Sequence, residues 1–435
     1  MALIVVVLLC TVRNWKTIPW RYAIAYLFTA IMVFMDASPF HILVHLLCFA
    51  AFIGTTVTVK TSLYIATFIG FVQSFFGYAL DYITLRGKLK TVRPGTTKNI
   101  GTYVLGAAIS ILAICLFTWL YSTANPVFEA LVQQVDFSVL SLPRLVFTLL
   151  GYLLFLNIGT SRHLEELVAF DANCENALKA PDKAFLSARA GTLKKEYTVG
   201  TMVLGVLNVL LLLFLTTDVI YLTGPSISDN AAYSSSVHQG VYALVFSIAM
   251  AIGTILYFFR GNLNFFNTNG ALRKLTYTWL VCNLILVLTT WYKNWMYVAA
   301  LGLTYKRIGV FVYLLLTVSG LITTYVKVAH IRSFWYLVRS NTVVFFSVLV
   351  LATGVPWDRT ITWYNLNQVA RPDIAYLLGL KNGHLPQLFR YGKTHSDRLM
   401  LDQQTTINER YTDFVLAEKE KTWQEYTWYQ LMKKQ

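Results

Sequence analysis

Long apolar runs separated by short charged or turn-rich segments constrain this chain more than any other feature. They cover residues 2–12, 20–35, 40–59, 63–84, 100–121, 142–160, 198–222, 237–259, 274–291, 308–327 and 340–355. A helix needs roughly 20 apolar residues to cross the hydrocarbon layer of a bilayer, and most of these runs approach that length. Hydrophobic residues make up 56% of the chain and charged residues only 13%, with a mean hydropathy of +0.54. A soluble core of this size does not use so large an apolar share. The predicted fold is therefore all-α and polytopic: about eleven transmembrane helices over residues 1–355, then a small helical extramembrane tail over 356–435.

The first run is only about eleven residues long. No basic segment precedes it and no small-x-small cleavage site follows it before Arg13 and Trp15. It reads as a short first helix and not as a removed signal peptide.

Net charge is +15, yet the segment after Pro356 holds 11 Lys/Arg against 9 Asp/Glu. The excess therefore lies in the apolar part, where it suits anionic lipid heads better than nucleic acid. Cys10, Cys48, Cys115, Cys174 and Cys282 are widely spaced, with no C-x-x-C pair. They read as small buried hydrophobes, without a disulfide framework or a metal site.

Basic residues in short loops predict orientation. Leu85 to Asn99 carries five basic residues and no acid, which makes it cytoplasmic. Counting onward, residues 162–196, 260–274 and 327–339 fall inside, and the tail falls outside the cytoplasm. The same count leaves Arg13, Lys16 and Arg21 outside, against the charge rule. Residues 162–196 read as a helical hairpin along the inner surface, with Pro181 suited to the first turn of its second helix. In the tail, Pro372 suits a helix start and Gly379 to Gly383 a stop. Phe414, Trp423, Tyr426 and Trp428 suggest an amphipathic closing helix.

Three segments in this order, "ANPVF" (124–128), "LTYTWLVCNLILVLTTWYKNWMYVAALGLTYKRIGVFVYL" (275–314) and "YNLNQVARPDIAYLLGL" (364–380), carry a likeness. The chain resembles an uncharacterised bacterial multi-pass membrane family, domain of unknown function 4173, and its relative 4153. The likeness runs from about residue 100 onward and is most specific at "GLTYKRI" and "PDIAYLLGL". It implies a polytopic helical protein of the bacterial cytoplasmic membrane with an exported helical tail, and it brings no activity with it.

Polar side chains at membrane depth cost a few kcal/mol unless they face protein or water, so they are the candidate functional positions. His41 and His45 lie four apart on one helix face, just after Asp36. That spacing suits a metal or a proton relay, but no Glu completes H-E-x-x-H, and hydrogen bonds between helices would also satisfy both rings. Asp81, Asp218 and His238 sit near the ends of apolar runs, where they suit either interfacial exposure or an ion path. Residues 258–274, Asn-rich and flanked by Arg260 and Arg273, read as a plain inner-leaflet connector. The chain has no G-x-S-x-G elbow, no phosphate loop and no D-x-D pair.

Lys293, Lys306 and Arg307 fall on the outer side, among Trp291, Tyr292, Trp295, Tyr297 and Tyr305. We expect an aromatic belt around a re-entrant turn that closes at Gly302. Three readings of the cations remain open. They can snorkel to lipid phosphates, grip an anionic group, or pair with Asp358 or Asp373 of the tail. The expected function is a non-enzymatic accessory or scaffold subunit that binds membrane lipid and another envelope protein, without cofactor, metal or nucleic acid. The alternative is a carrier or flippase-like transporter of an anionic or lipid-linked substrate. A membrane-embedded transferase would need acid and base groups converging beneath the tail.

Overall fold

A computed structural model describes residues 19–58, 61–89, 100–133, 142–159, 164–223, 246–266 and 269–421. In chain order the helices are α1 (Trp20–Met35), α2 (Pro39–Val57), α3 (Leu63–Leu89), α4 (Ile100–Ala124), α5 (Pro126–Gln133), α6 (Leu142–Gly159), α7 (Glu165–Asn173), α8 (Lys183–Ala188), α9 (Ala190–Thr223), α10 (Phe246–Phe258), α11 (Gly270–Leu301), α12 (Tyr305–Ala329) and α13 (Phe334–Ala352). The tail adds α14 (Trp357–Gln368), α15 (Ile374–Leu378), α16 (Leu385–Thr394) and α17 (Leu401–Glu420). No strand forms among the described residues, and Ala177 and Arg332 make one isolated β-bridge. The fold is all-α.

Five of these helices, α2, α9, α11, α12 and α13, are long and apolar enough to cross a membrane. Five more predicted runs form shorter apolar helices, in α1, α3, α4, α6 and α10, and residues 2–12 lie outside the described residues. The count of eleven is thus met as helices in ten places and as full-length spans in five. Large apolar side chains face outward along the bundle: Phe147 is 79% exposed, Leu112 72% and Val206 69%. Water would penalise such a surface heavily, whereas lipid would not.

The sequence shows why the helices start and stop where they do. Ser38, Thr304 and Ser333 cap α2, α12 and α13 by accepting the backbone N–H of His41, Arg307 and Tyr336, which satisfies donors that a helix start leaves orphaned. Pro39 occupies the first position of α2 and Pro356 separates α13 from the tail.

Two helix groups pack side by side. In the first, α2 crosses α3 at backbone contact. A Cβ on Gly54 would lie 1.6 Å from the Ala66 carbonyl oxygen, and one on Gly70 would lie 1.8 Å from that of Ala50. Ala50-x-x-x-Gly54 against Ala66-x-x-x-Gly70 is a small-residue crossing, the device by which helices approach closely when lipid supplies no hydrophobic drive. α1, α6 and α13 pack around this pair, with Tyr26, Phe49, Phe52 and Ile158 in a shared core. Gln73 donates to Asn157 O of α6 at 2.7 Å. The second group, α9 to α12, encloses Leu204, Ile255, Leu272, Leu286 and Leu314.

The segment read as a hairpin, 162–196, holds two short helices, α7 and α8, before α9 begins at Ala190. α8 starts just after Pro181, and its chain turns at Arg189 straight into α9. It docks on the α12–α13 turn, where Leu178 N donates to Ile331 O at 3.1 Å and Ser333 N to Asn176 O at 3.0 Å. Ile331 takes φ of 51° there, a costly conformation for a β-branched residue that the paired backbone holds in place.

One prediction is overturned. Counting every apolar run as a crossing puts residues 36–39 and the tail on opposite faces. In the structure Ser38, Pro39 and Phe40 share a cavity with Asp358 and Tyr376 of the tail, and His41 Nε2 donates to Thr353 O at 2.8 Å. The start of α1, with Arg21, therefore lies at the hairpin end, and Arg13 and Lys16 lie outside the described residues. α3 leaves the hairpin end at Ser62 and, over 27 residues, rises about 40 Å. Parity counting fails because one partial crossing inverts every loop on the far side of it.

Candidate functional site

The clearest candidate site sits where α11 ends, α12 begins and the tail folds back over both. α11 does not dip into the membrane as expected; it runs unbroken for 32 residues to Leu301, about 48 Å, and stops at Gly302, whose φ is +87°. A left-handed conformation favours glycine. Here space demands it too, because a Cβ would lie 2.5 Å from Asn365 Oδ1. Trp291, Tyr292 and Trp295 are exposed near this helix end, and they are residue types that favour a membrane interface.

Asn365, buried on α14, clamps the turn. Leu303 N donates to its Oδ1 at 2.6 Å, and its Nδ2 donates to Leu303 O at 2.9 Å. Tyr305 OH donates to Asp358 Oδ1 at 2.6 Å, and Tyr305 N donates to Tyr376 OH at 2.9 Å. Apolar packing backs these bonds: Ile308 of α12 joins Ile361, Ile374, Leu377, Leu388 and Ile407 in the tail's own core. The tail is thus fastened to the bundle by its core as well as by its polar groups.

Between bundle and tail lies a cavity of about 690 Å³, lined by Lys306, Arg307, Lys381, Asp358, Tyr305 and Tyr376 and closed on one side by Ser38, Pro39 and Phe40. Three cations there face one carboxylate. Lys306 and Lys381 are exposed and form no ion pair among the described residues. Arg307 is partly spent, since its Nη1 donates to Leu301 O at 2.9 Å and to Gly302 O, capping the negative end of α11. Its guanidinium lies 4.1 Å from the Tyr297 ring centroid. Its Nε–H, buried, has no acceptor, an uncommon state for a charged donor.

The other predicted positions lie elsewhere. Lys293 is not part of this cavity; it pairs with Asp218 between α11 and α9, where both are largely buried. Asp373 caps α15 by accepting Tyr376 N at 3.0 Å and pairs with neither Lys306 nor Arg307. His41 and His45 share a face but point to different partners: His41 to Ser38 and Thr353, and His45 to Thr29 at 3.1 Å while stacked on Tyr26. Asp36 stands 4.0 Å from His41 Nδ1. No group of three His, Cys, Asp or Glu side chains suited to a metal occurs among the described residues. Asp81 lies on α3 with its side chain outside the described residues, and His238 lies outside them altogether.

Sequence reading missed the joint at the opposite end. Arg339 of α13 makes five hydrogen bonds: Nε to Ser62 Oγ at 3.1 Å, Nη1 to Cys174 O and Asn176 Oδ1 at 2.6 and 2.7 Å, and Nη2 to Asp171 O and Oδ1 at 2.6 and 2.9 Å. Ser62 N also donates to Asp171 Oδ2 at 2.6 Å. Burial pushes the Asp171 carboxyl up, but hydrogen bonds from Ser62 and Arg339 outweigh it and hold the group below its usual range. The sequence signal was slight, because Arg339 stands at the end of a predicted loop, next to the apolar run that begins at residue 340.

No curated protein and no solved structure matches the chain. The model of a family described as "Domain of unknown function (DUF4153)" matches residues 1–391. The match takes in the first hundred residues, over which the likeness above did not extend, and ends within α16, so α17 lies beyond it. The chain belongs to the DUF4153 family, the second of the two related families that its motifs resemble.

Proposed function

We propose that this protein is a non-enzymatic component of the bacterial cytoplasmic membrane that holds an anionic group, free or lipid-linked, in the cavity between bundle and tail. The observation that carries the reading is the charge balance at that cavity. Lys306 and Lys381 are unpaired, Arg307 keeps a buried Nε–H without an acceptor, and Asp358, already bonded to Tyr305, is the one acid among the lining residues. A cation trio beside an aromatic belt suits a phosphate or carboxylate at the level of lipid head groups. In this reading the tail is one wall of a binding site, and the site serves a carrier or flippase-like role. The hairpin end, which holds Arg21, Arg260, Arg273, Lys274 and Arg339, is the cytoplasmic one, and the tail faces outward.

The test is binding of a short-chain phosphatidic acid to the purified full-length protein. The Lys306→Gln/Lys381→Gln pair should weaken it by tenfold or more. Equal binding by both proteins sinks the proposal. A second reading, an accessory subunit that docks another envelope protein, draws on α4, which turns Leu112, Trp119 and Phe117 outward. Copurification of a stoichiometric partner that is lost on Leu112→Asn/Trp119→Gln substitution would favour it.

A further inference from the structure

A second cationic cleft lies at the other end of α11, and it takes in part of the Asn-rich segment that the sequence presents as a mere connector. Its walls are the C-terminal end of α10, the loop that follows and the first turns of α9. The cavity measures about 440 Å³.

The loop is rigid because its asparagines hold their own backbone. Asn264 Nδ2 donates to Phe259 O and Gly261 O at 2.9 and 2.7 Å. Asn269 Nδ2 donates to Leu263 O and Asn264 O at 3.0 and 3.1 Å. Two neighbouring cations bind the loop backbone: Arg273 Nη2 donates to Asn264 O at 3.2 Å, and Lys327 Nζ, only 2% exposed, donates to Phe259 O at 2.7 Å. Charge that stabilises the loop is therefore separate from charge that lines the cleft.

The lining cations are Arg189, Lys195 and Arg260. None of them forms an ion pair among the described residues. Arg260 is held over the Tyr257 ring, 4.2 Å from its centroid, and Arg189 over Phe185, at 4.9 Å. Stacking of this kind orders a guanidinium while leaving its N–H fork free. Glu196 is the only acid in the lining and can neutralise one of the three. Thr192 and Asn262 add neutral donors, and Phe258 supplies an apolar floor.

We infer that this cleft binds a phosphate-bearing group at the hairpin end of the bundle. Two guanidinium forks and an ammonium on a preorganised frame match a tetrahedral oxyanion better than a planar carboxylate. The outward apolar face of α9, with Val199, Met202 and Val206 exposed, runs away from the cleft where the acyl chains of a phospholipid would lie. A phospholipid head and a soluble phosphate present the same chemistry. The inference does not depend on the tail cavity, whose residues lie at the opposite end of α11.

The test uses the full-length protein in nanodiscs of phosphatidylcholine with or without phosphatidylglycerol, with bound lipid counted by native mass spectrometry and pyrophosphate binding measured by calorimetry. Wild type should retain phosphatidylglycerol over phosphatidylcholine. The Lys195→Gln/Arg260→Gln variant should lose that preference about tenfold or more, and Lys183→Gln, on the neighbouring hairpin and outside the cleft, should not. Saturable pyrophosphate binding with the same dependence would identify the source as soluble phosphate. Should Arg260→Gln disturb the fold, Arg189→Gln/Lys195→Gln, both exposed, makes the same measurement. Neither ligand bound, or binding indifferent to all of these substitutions, overturns the inference. Altered binding here with intact binding at Lys306 and Lys381 separates this site from the one proposed above.

Discussion

The two ends of the bundle each fasten an extramembrane element, and they do it with different chemistry. At the hairpin end an ion pair is central: Arg339 reaches Asp171 at 2.9 Å, Asp171 is buried, backbone hydrogen bonds at Leu178 and Ser333 add to it, and no buried apolar cluster of the kind the tail has surrounds it among the described residues. At the tail end no ion pair ties tail to bundle among the described residues: the ties are amide and hydroxyl hydrogen bonds through Asn365 and Tyr376, with one from Tyr305 to the Asp358 carboxylate, and they sit on a core shared with Ile308. A joint built on an ion pair concentrates much of its stability in one residue pair, whereas a joint on an apolar core spreads it over many contacts. The difference also explains the cavities. Cations at the tail end are left over because the joint there does not use them, while at the hairpin end Arg339 is fully consumed and the cleft draws on other residues.

The largest test of this contrast is Arg339→Ala. It leaves a buried carboxylate with only Ser62 and Tyr64 as donors, a change of the kind that costs about 3–5 kcal/mol. We expect amide exchange across residues 164–189 to rise to near the unprotected rate while the tail keeps its protection. Acid should break the same joint. Because the Asp171 pKa is lowered in the folded state, its contribution is present above the unfolded value of about 3.9 and disappears as pH falls through the folded one. Hairpin release should therefore come only in strong acid, and release above pH 5 would contradict the assignment.

Asn365→Ala is the matching cut at the other end. It strips both bonds from Leu303 and leaves a backbone N–H and C=O without partners, about 1–3 kcal/mol. The shared apolar core should keep the tail docked, so exchange should quicken around Gly302–Tyr305 without spreading to α16 and α17. Loss of protection through the whole tail would mean that this joint, like the one built on an ion pair, depends on a single residue.

How much of this was legible in the sequence follows from what each feature depends on. Helices and the pairing of aromatic with basic residues are local, so Gly302, Lys306 and Arg307 stood out in the sequence, whereas the caps at Ser38 and Thr304, equally local, were passed over. The tail's role in the site was legible only as a carboxylate that might pair, and Asp358 proved to bond Tyr305 instead. Asn365, Tyr376 and Lys381 carried no signal, because their partners lie about sixty or more residues away and a polar residue in a soluble tail is unremarkable until its neighbour is known. Crossing parity was misread for a related reason. Hydropathy reports that a run is apolar, but not whether it passes from one face to the other, and α1, α3 and α6 are held by packing at Gly54, Gly70 and Asn157 more than by length.

The smallest effect we expect is a mild-acid loosening of the tail, and it sharpens the comparison because it should begin at a higher pH than hairpin release. His384 is fully buried in the tail. Burial pushes its imidazole below the ordinary value of 6.5, outweighing the bond its Nδ1–H donates to Lys381 O and the nearby Asp358 carboxylate. A depressed folded value means that the unfolded tail takes up the proton first, so the stabilisation is complete above pH 6.5 and declines as pH falls through the folded value. One proton changes the docking equilibrium by at most tenfold per pH unit. Fluorescence of Trp357 and Trp363, followed from pH 7.5 to 4.5, should show a gradual change that His384→Phe abolishes. A wild-type transition that survives the substitution would move the titrating group elsewhere in the tail, and a hairpin that opens before the tail would reverse the order that the two joints require.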